Sequence, residues 1–279
     1  ELSQDGPGGQ TREFVRPKGF ASLAWKPDPD FDLNLRFARE VGQLRFSDFA
    51  ASQDLADDIL TSGNAELVPE QSWRAQLEAN RRFGKWGAVK LKLSAADIED
   101  VVDQTLIFLC DGVQVPSATA CVAPATLVRR SGVGNLPSAE RYAAELAGTL
   151  HFDPLGLKGL QLDFEVGVGD SKLIDPLTGK ERKISGTPLG NWEAVLRQDV
   201  PGTDLSWGAG VEHNTRSSVY RFDQRSRSFS GAFAFAFVEH KDLFGLKVRL
   251  QAANLTDRTE GGRREVYVGD RLGPLNFIE

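Results

Sequence analysis

Ser228-Phe229-Ser230-Gly231-Ala232-Phe233-Ala234-Phe235-Ala236-Phe237-Val238-Glu239-His240 is the stretch on which the fold of this chain turns. Four phenylalanines fall on one parity, with small or polar residues mostly on the other. Side chains that alternate with period two belong to a strand with two unlike faces. The next run repeats the pattern, with Leu246, Val248, Leu250 and Ala252 on one side and Lys247, Arg249 and Gln251 on the other. Only a short turn, Asp242 to Gly245, separates the two runs, so they read as an antiparallel hairpin.

Upstream, the alternation recurs until it accounts for nearly all regular structure. Leu205, Trp207, Ala209 and Val211 oppose Ser206, Gly208, Gly210 and Glu212; Trp192, Ala194 and Leu196 oppose Glu193 and Arg197. Leu160, Leu162, Phe164 and Val166 oppose Gln161, Asp163 and Glu165, and Tyr142, Ala144, Leu146 and Leu150 oppose Glu145 and Thr149. Val89, Leu91 and Leu93, then Trp73, Ala75 and Leu77, then Phe31, Leu33, Leu35 and Phe37 complete the series with Ala21, Leu23 and Trp25. That makes ten expected strands. No segment carries an apolar stripe of helical period, although Asp54 to Leu60 fits one helical turn inside a loop.

The connections alternate as regularly as the side chains. One set is tight and rich in turn formers: Pro27 to Asp30, Gly84 to Gly87, Asp153 to Gly156, Pro201 to Thr203 and Lys241 to Gly245. The other set is long and polar: Ser47 to Gln71, Gln104 to Ser138, Ser171 to Pro188, the shorter Tyr220 to Ser226, and the tail after Asn254. One apolar and one polar face per strand would equally serve a soluble β-sandwich around an internal core. Loops sorted by end, and a polar face carrying Lys90, Lys92, Arg74, Glu78, Asp163, Glu165, Glu193, Arg197, Lys247 and Arg249, favour an up-and-down transmembrane β-barrel with a wet lumen. On that reading Phe235 faces lipid and Ala234 faces the lumen.

Composition is consistent with this. The chain has 279 residues, 41% of them hydrophobic, and no run approaches the ~20 apolar residues of a membrane-spanning helix. Trp25, Trp73, Trp86, Trp192, Tyr142 and Phe152 lie near strand ends, where aromatic girdles sit. A net charge of -6 argues against a nucleic-acid partner. The chain begins at Glu1, holds no Met and no secretory signal peptide, and stops at Phe277-Ile278-Glu279 as another strand is due. It therefore reads as an internal piece of a larger barrel, since backbone groups in lipid require closure.

Cys110 and Cys121 both fall in the Gln104 to Ser138 loop and read as a disulfide. A catalytic or metal-binding thiol pair is the rival, without Cys-x-x-Cys spacing or a nearby His to support it. Asp28-Pro29-Asp30-Phe31-Asp32 mimics a calcium loop, but Leu33 and Arg39 stand where an EF-hand needs Gly and Glu. His151, His213 and His240 sit on separate strands, outside any hydrolase or zincin motif. No enzyme activity, metal or cofactor is expected.

Two segments carry a family resemblance. Gly63-Asn64-Ala65-Glu66-Leu67-Val68-Pro69-Glu70 resembles the Gly-Asn-Pro-x-Leu-x-Pro-Glu segment by which TonB-dependent outer-membrane receptors re-enter a strand from an extracellular loop; Ala65 replaces the usual Pro. Ala252-Ala253-Asn254-Leu255-Thr256-Asp257 followed by Arg263-Arg264-Glu265-Val266-Tyr267 resembles the end of the penultimate strand in the same family. The resemblance covers essentially the whole chain and implies that residues 1–279 are the C-terminal part of a 22-stranded, plugged barrel. It implies about ten complete strands here, with plug, coupling box, signal peptide and last strand outside this sequence. It further implies short periplasmic turns, long extracellular loops, a bacterial outer-membrane location with lipid around the barrel, and coupling to the TonB complex through the plug. The implied function is active uptake of a scarce ligand such as a ferric siderophore, cobalamin or an oligosaccharide. A passive porin-like small barrel and a soluble β-sandwich binding module are the alternatives. Under the family reading, ligand contacts fall on outer-loop cations, for which Arg129, Arg130, Lys180, Arg182, Lys183, Arg263, Arg264 and Arg271 are the candidates.

Overall fold

The computed structural model describes residues 13–49, 52–54, 59–64 and 66–279. In chain order the strands are β1 (Gly19–Asp28), β2 (Phe31–Val41), β3 (Ser52–Asp54), β4 (Ile59–Ser62), β5 (Gln71–Arg82), β6 (Gly87–Cys110), β7 (Val113–Val115), β8 (Leu127–His151) and β9 (Leu160–Ile174). They continue with β10 (Glu181–Arg182), β11 (Pro188–Asp199), β12 (Leu205–Arg216), β13 (Val219–Tyr220), β14 (Gln224–Ser230), β15 (Phe233–Leu243), β16 (Leu246–Ala253), β17 (Glu260–Tyr267) and β18 (Leu275–Ile278). One helical turn, α1 (Phe46–Phe49), precedes β3. Ten strands form a single antiparallel ladder in the order β1-β2-β5-β6-β8-β9-β11-β12-β15-β16, and they are the ten that the alternation predicts. Each long strand pairs with the long strands before and after it, the up-and-down order of a barrel wall. Four others, β13-β14-β17-β18, make a second sheet.

Register turns the alternation into two continuous faces. Leu35, Leu77, Leu93, Ala144 and Val168 line up across β2, β5, β6, β8 and β9 on one face. Asn34, Glu78, Lys92 and Glu145 line up on the other, one residue away along every strand. Among the described residues no second sheet covers the apolar face: Leu250 is 75% and Val168 61% exposed. The accessible surface is 17107 Å², against roughly 12,000 Å² for a compact globule of this mass. A sandwich would bury its apolar face and present the polar one, so the structure excludes it in favour of an all-β antiparallel barrel wall. Aromatics mark both rims of the apolar band. Phe37 stacks on Trp73 at 5.2 Å between ring centroids, with Tyr142 and Trp192 toward the same end and Trp25 and Trp86 toward the tight turns.

The quoted stretch itself requires correction twice. It is two strands, not one: β14 ends at Ser230, β15 begins at Phe233, and Gly231 and Ala232 between them pair in neither ladder. The faces are also reversed. Phe237 pairs with Gln251 and Gly208, and Phe235 with Gly210, whereas Ala236 and Val238 pair with Ala252 and Leu250 on the apolar face. Phe235 therefore points inward, and Ala234 stands on the outward face. The inward phenylalanines fit because Gly208 and Gly210 leave room for them. A Cβ on Gly208 would lie 2.6 Å from the Phe237 ring, and one on Gly210 2.5 Å from the Phe235 ring. Above Phe237 the Arg249 guanidinium stands 3.7 Å from the ring centroid, a cation–π contact on the inner wall.

The long connections are largely strand. β6 and β8 have 24 and 25 residues and pair without interruption of register from Gly87↔Leu150 to Cys110↔Leu127. At ~3.4 Å per residue they run for roughly 80 Å, far beyond an apolar band of about 25 Å, and form an arm. The expected loop from Gln104 to Ser138 is thus mostly the arm's outer half, closed by the Cys110–Cys121 disulfide with 5.3 Å between Cα atoms. Alternation alone missed it because Asp100, in the left-handed region at φ 55, shifts parity midway. Pro137, lacking an N–H, occupies the break opposite it, between the pairs Glu99↔Ser138 and Val101↔Leu136. Ile98 and Val101 then share one buried cluster with Leu136, Ala139, Leu173 and Ile184. Likewise the Ser171 to Pro188 connection contains the end of β9 and β10, the Tyr220 to Ser226 connection contains the β13–β14 hairpin, and the tail after Asn254 contains β17 and β18. Of the expected helical turn from Asp54 to Leu60, Asp54 closes β3 and Ile59 and Leu60 open β4, while residues 55–58 lie outside the described residues.

Two substitutions test this assignment of faces. Leu250→Arg, on the bare apolar face, should cost ~2 to 4 kcal/mol in a bilayer, and Gln251→Arg, on the inner wall, should be mild. Urea titration of the intact protein in lipid vesicles measures both, and equal costs would contradict the assignment.

Candidate functional site

The two family-like segments serve the outer rim. Asn64 is buried and bridges three partners: its Nδ2 donates to the Val133 carbonyl at 2.9 Å, and its Oδ1 accepts from the Glu66 amide at 2.8 Å and from Gln114 Nε2 at 2.9 Å. Asn135 on β8 returns the contact, accepting from the Val68 amide and donating to the carbonyls of Val68 and Asp100. Leu67, wholly buried, fills the space between. The segment pins a returning loop to the base of the arm, and Glu70 accepts the Val102 amide at 3.4 Å. Ala65 lies outside the described residues. At the second segment Asn254 and Asp257 take left-handed backbone, φ 56 and 50, and Asn254 Oδ1 accepts the Arg258 amide. Those conformations, which Asn and Asp adopt more readily than most residues, make the offset between β16 and β17.

The inner wall is a lattice of charge. Glu239 is buried among Arg197 at 3.3 Å, Lys247 at 3.1 Å and Ser206 Oγ at 3.5 Å. Toward the tight turns, a groove of about 600 Å³ is lined by Asp32, Arg82, Lys90, Asp163, Glu165 and Glu193. Near the arm's base a second cleft, about 430 Å³, is lined by Asp48, Glu70, Asp103, Gln104, Ser185 and Val219. Both are open to solvent, and charged side chains line each.

The second cleft is walled by a buried ion network. Arg182 donates to Asp103 at 2.6 Å, to Asp175 at 2.7 Å and to the Gln104 carbonyl at 3.1 Å. Arg271 reaches the same Asp175 oxygen at 2.5 Å and also donates to the Arg221 carbonyl. The Tyr220 ring stands 4.9 Å from the Arg182 guanidinium, 5.5 Å from that of Arg271 and 5.7 Å from that of Arg225. Burial alone would raise the Asp175 carboxyl. The hydrogen bond and charge of Arg271, the Thr178 amide and the charge of Arg182 outweigh it, holding the group below the usual carboxylate range. Nearby Asp223 is pushed the other way by burial, with only partial relief from Arg221 and Arg130.

The eight cations named from the sequence do not form one patch. Arg182 and Arg271 meet in the network around Asp175. Arg129 pairs with Asp270 at 3.0 Å and Arg263 with Glu265 at 3.0 Å, Lys183 pairs with Asp170, and Arg264 with Glu279. Arg130 is half-buried and contributes its charge near Asp223, and Lys180 is exposed in the turn that Asp175 organises. Pattern reading did not reach Asp103, Asp175 and Tyr220, because their partners lie 79 residues away for Asp103–Arg182 and 96 for Asp175–Arg271.

Truncating Arg182 to Ala leaves two buried carboxylates with fewer partners and should cost ~3 to 5 kcal/mol in urea unfolding. The pH sign follows from Asp175. Its folded value is depressed, so its contribution is fully present above the ordinary aspartate value near ~3.9 and is lost as pH falls through the lower folded value. Stability of the outer rim should therefore be flat near neutrality and fall only in strong acid, with Asp175→Asn removing that acid limb.

No family model and no curated protein matches this chain. Among solved structures it is similar to the siderophore receptor PirA from Acinetobacter baumannii, at 14% identity and TM-score 0.55, over 86% of this chain and 37% of that one. It is also similar to the FrpB iron transporter from Neisseria meningitidis, F3-3 variant, at 12% identity and TM-score 0.54, over 85% of this chain and 33% of that one. The chain spans about a third of the length of both. At such identity the likeness concerns fold, and together with the single ladder, the bare apolar face and the charged inner wall it makes the chain an antiparallel β-barrel wall like those of these two structures.

Proposed function

We propose that this chain is the C-terminal part of the barrel of a TonB-dependent outer-membrane receptor, and that the whole protein binds a scarce ligand and imports it. The observation that carries the proposal is the pairing of a two-faced ladder with a structured outer rim. The tight turns close one end, whereas a disulfide-closed arm, a second sheet and a buried ion network occupy the other. A passive pore needs only a charged lumen, and so elaborate a rim is the mark of recognition. The solved relatives bear the names of a siderophore receptor and an iron transporter. A ferric siderophore is accordingly the favoured ligand, ahead of cobalamin or an oligosaccharide, and the rim cations would meet its negative charge. The plug, the TonB contact and the remaining strands belong to the rest of the protein. The turns then face the periplasm, and the arm and second sheet face outside.

Fractionating source cells tests this. Peptides covering Asn64 to Trp73 should appear in the outer membrane, in a protein roughly three times as heavy as 30.5 kDa, whose loss abolishes energy-dependent ligand uptake. A band near 30.5 kDa with uptake indifferent to the proton gradient would favour the porin reading instead.

A further inference from the structure

Two of the tight turns that close one end of the ladder differ from the rest. The turn at Gly84–Trp86 joins β5 to β6, and that at Asp153–Leu155 joins β8 to β9. They lie side by side. A Cβ on Gly87 would stand 1.9 Å from the Thr149 carbonyl oxygen, so the first turn is drawn tight against the strand that leads into the second. Both turns are closed by their own hydrogen bonds: the Phe83 amide donates to the Gly87 carbonyl, the Trp86 amide to the Phe83 carbonyl, and the Leu155 and Leu157 amides to the Phe152 carbonyl. Asp153 Oδ1 accepts the Gly159 amide at 3.1 Å. Tips tied in this way hold their side chains in place, and what they hold out is apolar. Leu155 is 62% exposed, and Phe83, Leu157 and Trp86 are close to half exposed. The turns from Pro27 to Asp30 and from Pro201 to Thr203 carry no large apolar side chain.

These side chains lie past the level at which the apolar face first turns polar. Arg81, Gln198 and His240 stand on that face in register with Val89, Leu160 and Val248, and form a polar row near its turn end. Phe83 is two residues beyond Arg81, or ~7 Å along the strand. The headgroup layer of a bilayer is roughly 5 to 8 Å deep on each side of the hydrocarbon core. With the polar row at the edge of the hydrocarbon, the tips reach headgroups rather than open water, a level that aromatic and amphipathic groups favour. Two lysines complete the pattern. Lys85 precedes Trp86 and Lys158 follows Leu157; both are exposed, and among the described residues neither side chain has an ion pair or a hydrogen bond. At the β15–β16 turn Phe244 is also bare, but there Lys241 and Lys247 are held by Asp199 and Glu239.

We propose that the two adjacent turns form a binding site for the headgroup of an anionic phospholipid. Phe83, Trp86, Leu155 and Leu157 enter the boundary between headgroups and acyl chains, and Lys85 and Lys158 meet the phosphate. Continuity argues for a lipid: β6, β8 and β9, the strands that the turns prolong, carry Leu91, Leu146 and Val166 in register on the bare apolar face. Charge selects the headgroup. Two free ammonium groups beside a single carboxylate, Asp153, favour a phosphodiester of net negative charge over a zwitterion. The inference rests on the reading of the apolar face as lipid-facing, and it concerns the end of the wall opposite the arm.

Photo-crosslinking of the intact protein in phosphatidylcholine vesicles tests it, with labelled peptides read by mass spectrometry. One tracer is phosphatidylglycerol and another phosphatidylcholine, each photoreactive at the headgroup; a third, reactive at the acyl tail, reports on residues 246–253 of β16. The phosphatidylglycerol tracer should label residues 83–87 and 152–158 well above the phosphatidylcholine tracer. Lys85→Gln and Lys158→Gln should each lower that labelling roughly fivefold, and Lys85→Arg should keep it. Equal labelling by the two headgroups, or labelling of residues 201–203 as strong as that of the two turns, would mean general immersion without a site and overturn the proposal. Absence of headgroup labelling from both turns while the acyl tracer labels residues 246–253 would overturn it and leave the wall in lipid. Absence of acyl labelling as well would overturn the membrane reading along with it.

Discussion

Everything in this chain depends on backbone hydrogen bonds being satisfied between neighbouring long strands, because this alone frees the side chains to take two incompatible environments. Once the ten ladder strands pair in register, one face is apolar and the other largely polar. No interior core is then available to stabilise the wall. The side chains that would form one in a globule lie bare on the outer face, and the inner wall is held instead by ion pairs and by rings lying on glycine. Glu239, shared by Arg197 and Lys247 across three strands, is the clearest instance.

The ladder is legible because period two survives any tertiary context: a strand with one apolar and one polar face has no freedom to deviate. All ten wall strands and all five tight turns followed from that pattern. The inversion of β15 shows its limit. Large apolar side chains were assigned outward by size, yet Glu239 shares the parity of Phe233, Phe235 and Phe237, and a buried carboxylate with two cationic partners fixes a face more firmly than a ring does. Glycine at Gly208 and Gly210 was the second signal, and it becomes readable only once the neighbouring strand is known.

The rim was less legible for a different reason. Beyond the apolar band neither face is apolar throughout, so alternation loses its cause, and parity shifts at Asp100, whose backbone is left-handed. Residues there are placed by contacts between distant segments, as Asn64 is by Val133 and Gln114, and Arg182 by Asp103 and Asp175. Cationic residues looked alike in the sequence; in the structure Arg182 is a buried tie and Lys180 a solvated turn residue. The charges that hold the rim together are drawn from the same residue types as those that would meet a ligand, and only burial separates them.

The disulfide at the end of the arm has a bearing on wear. Cys110 ends β6 and Cys121 lies in the connection that leads to β8, so the peptide bonds from Asp111 to Ala120 lie in a small covalent ring. A protease that cuts any one of them opens the ring but does not part the polypeptide. Both strands keep their register with one another, and the arm survives as a nicked but continuous scaffold. Cleavage at the end of the arm thus has little structural consequence.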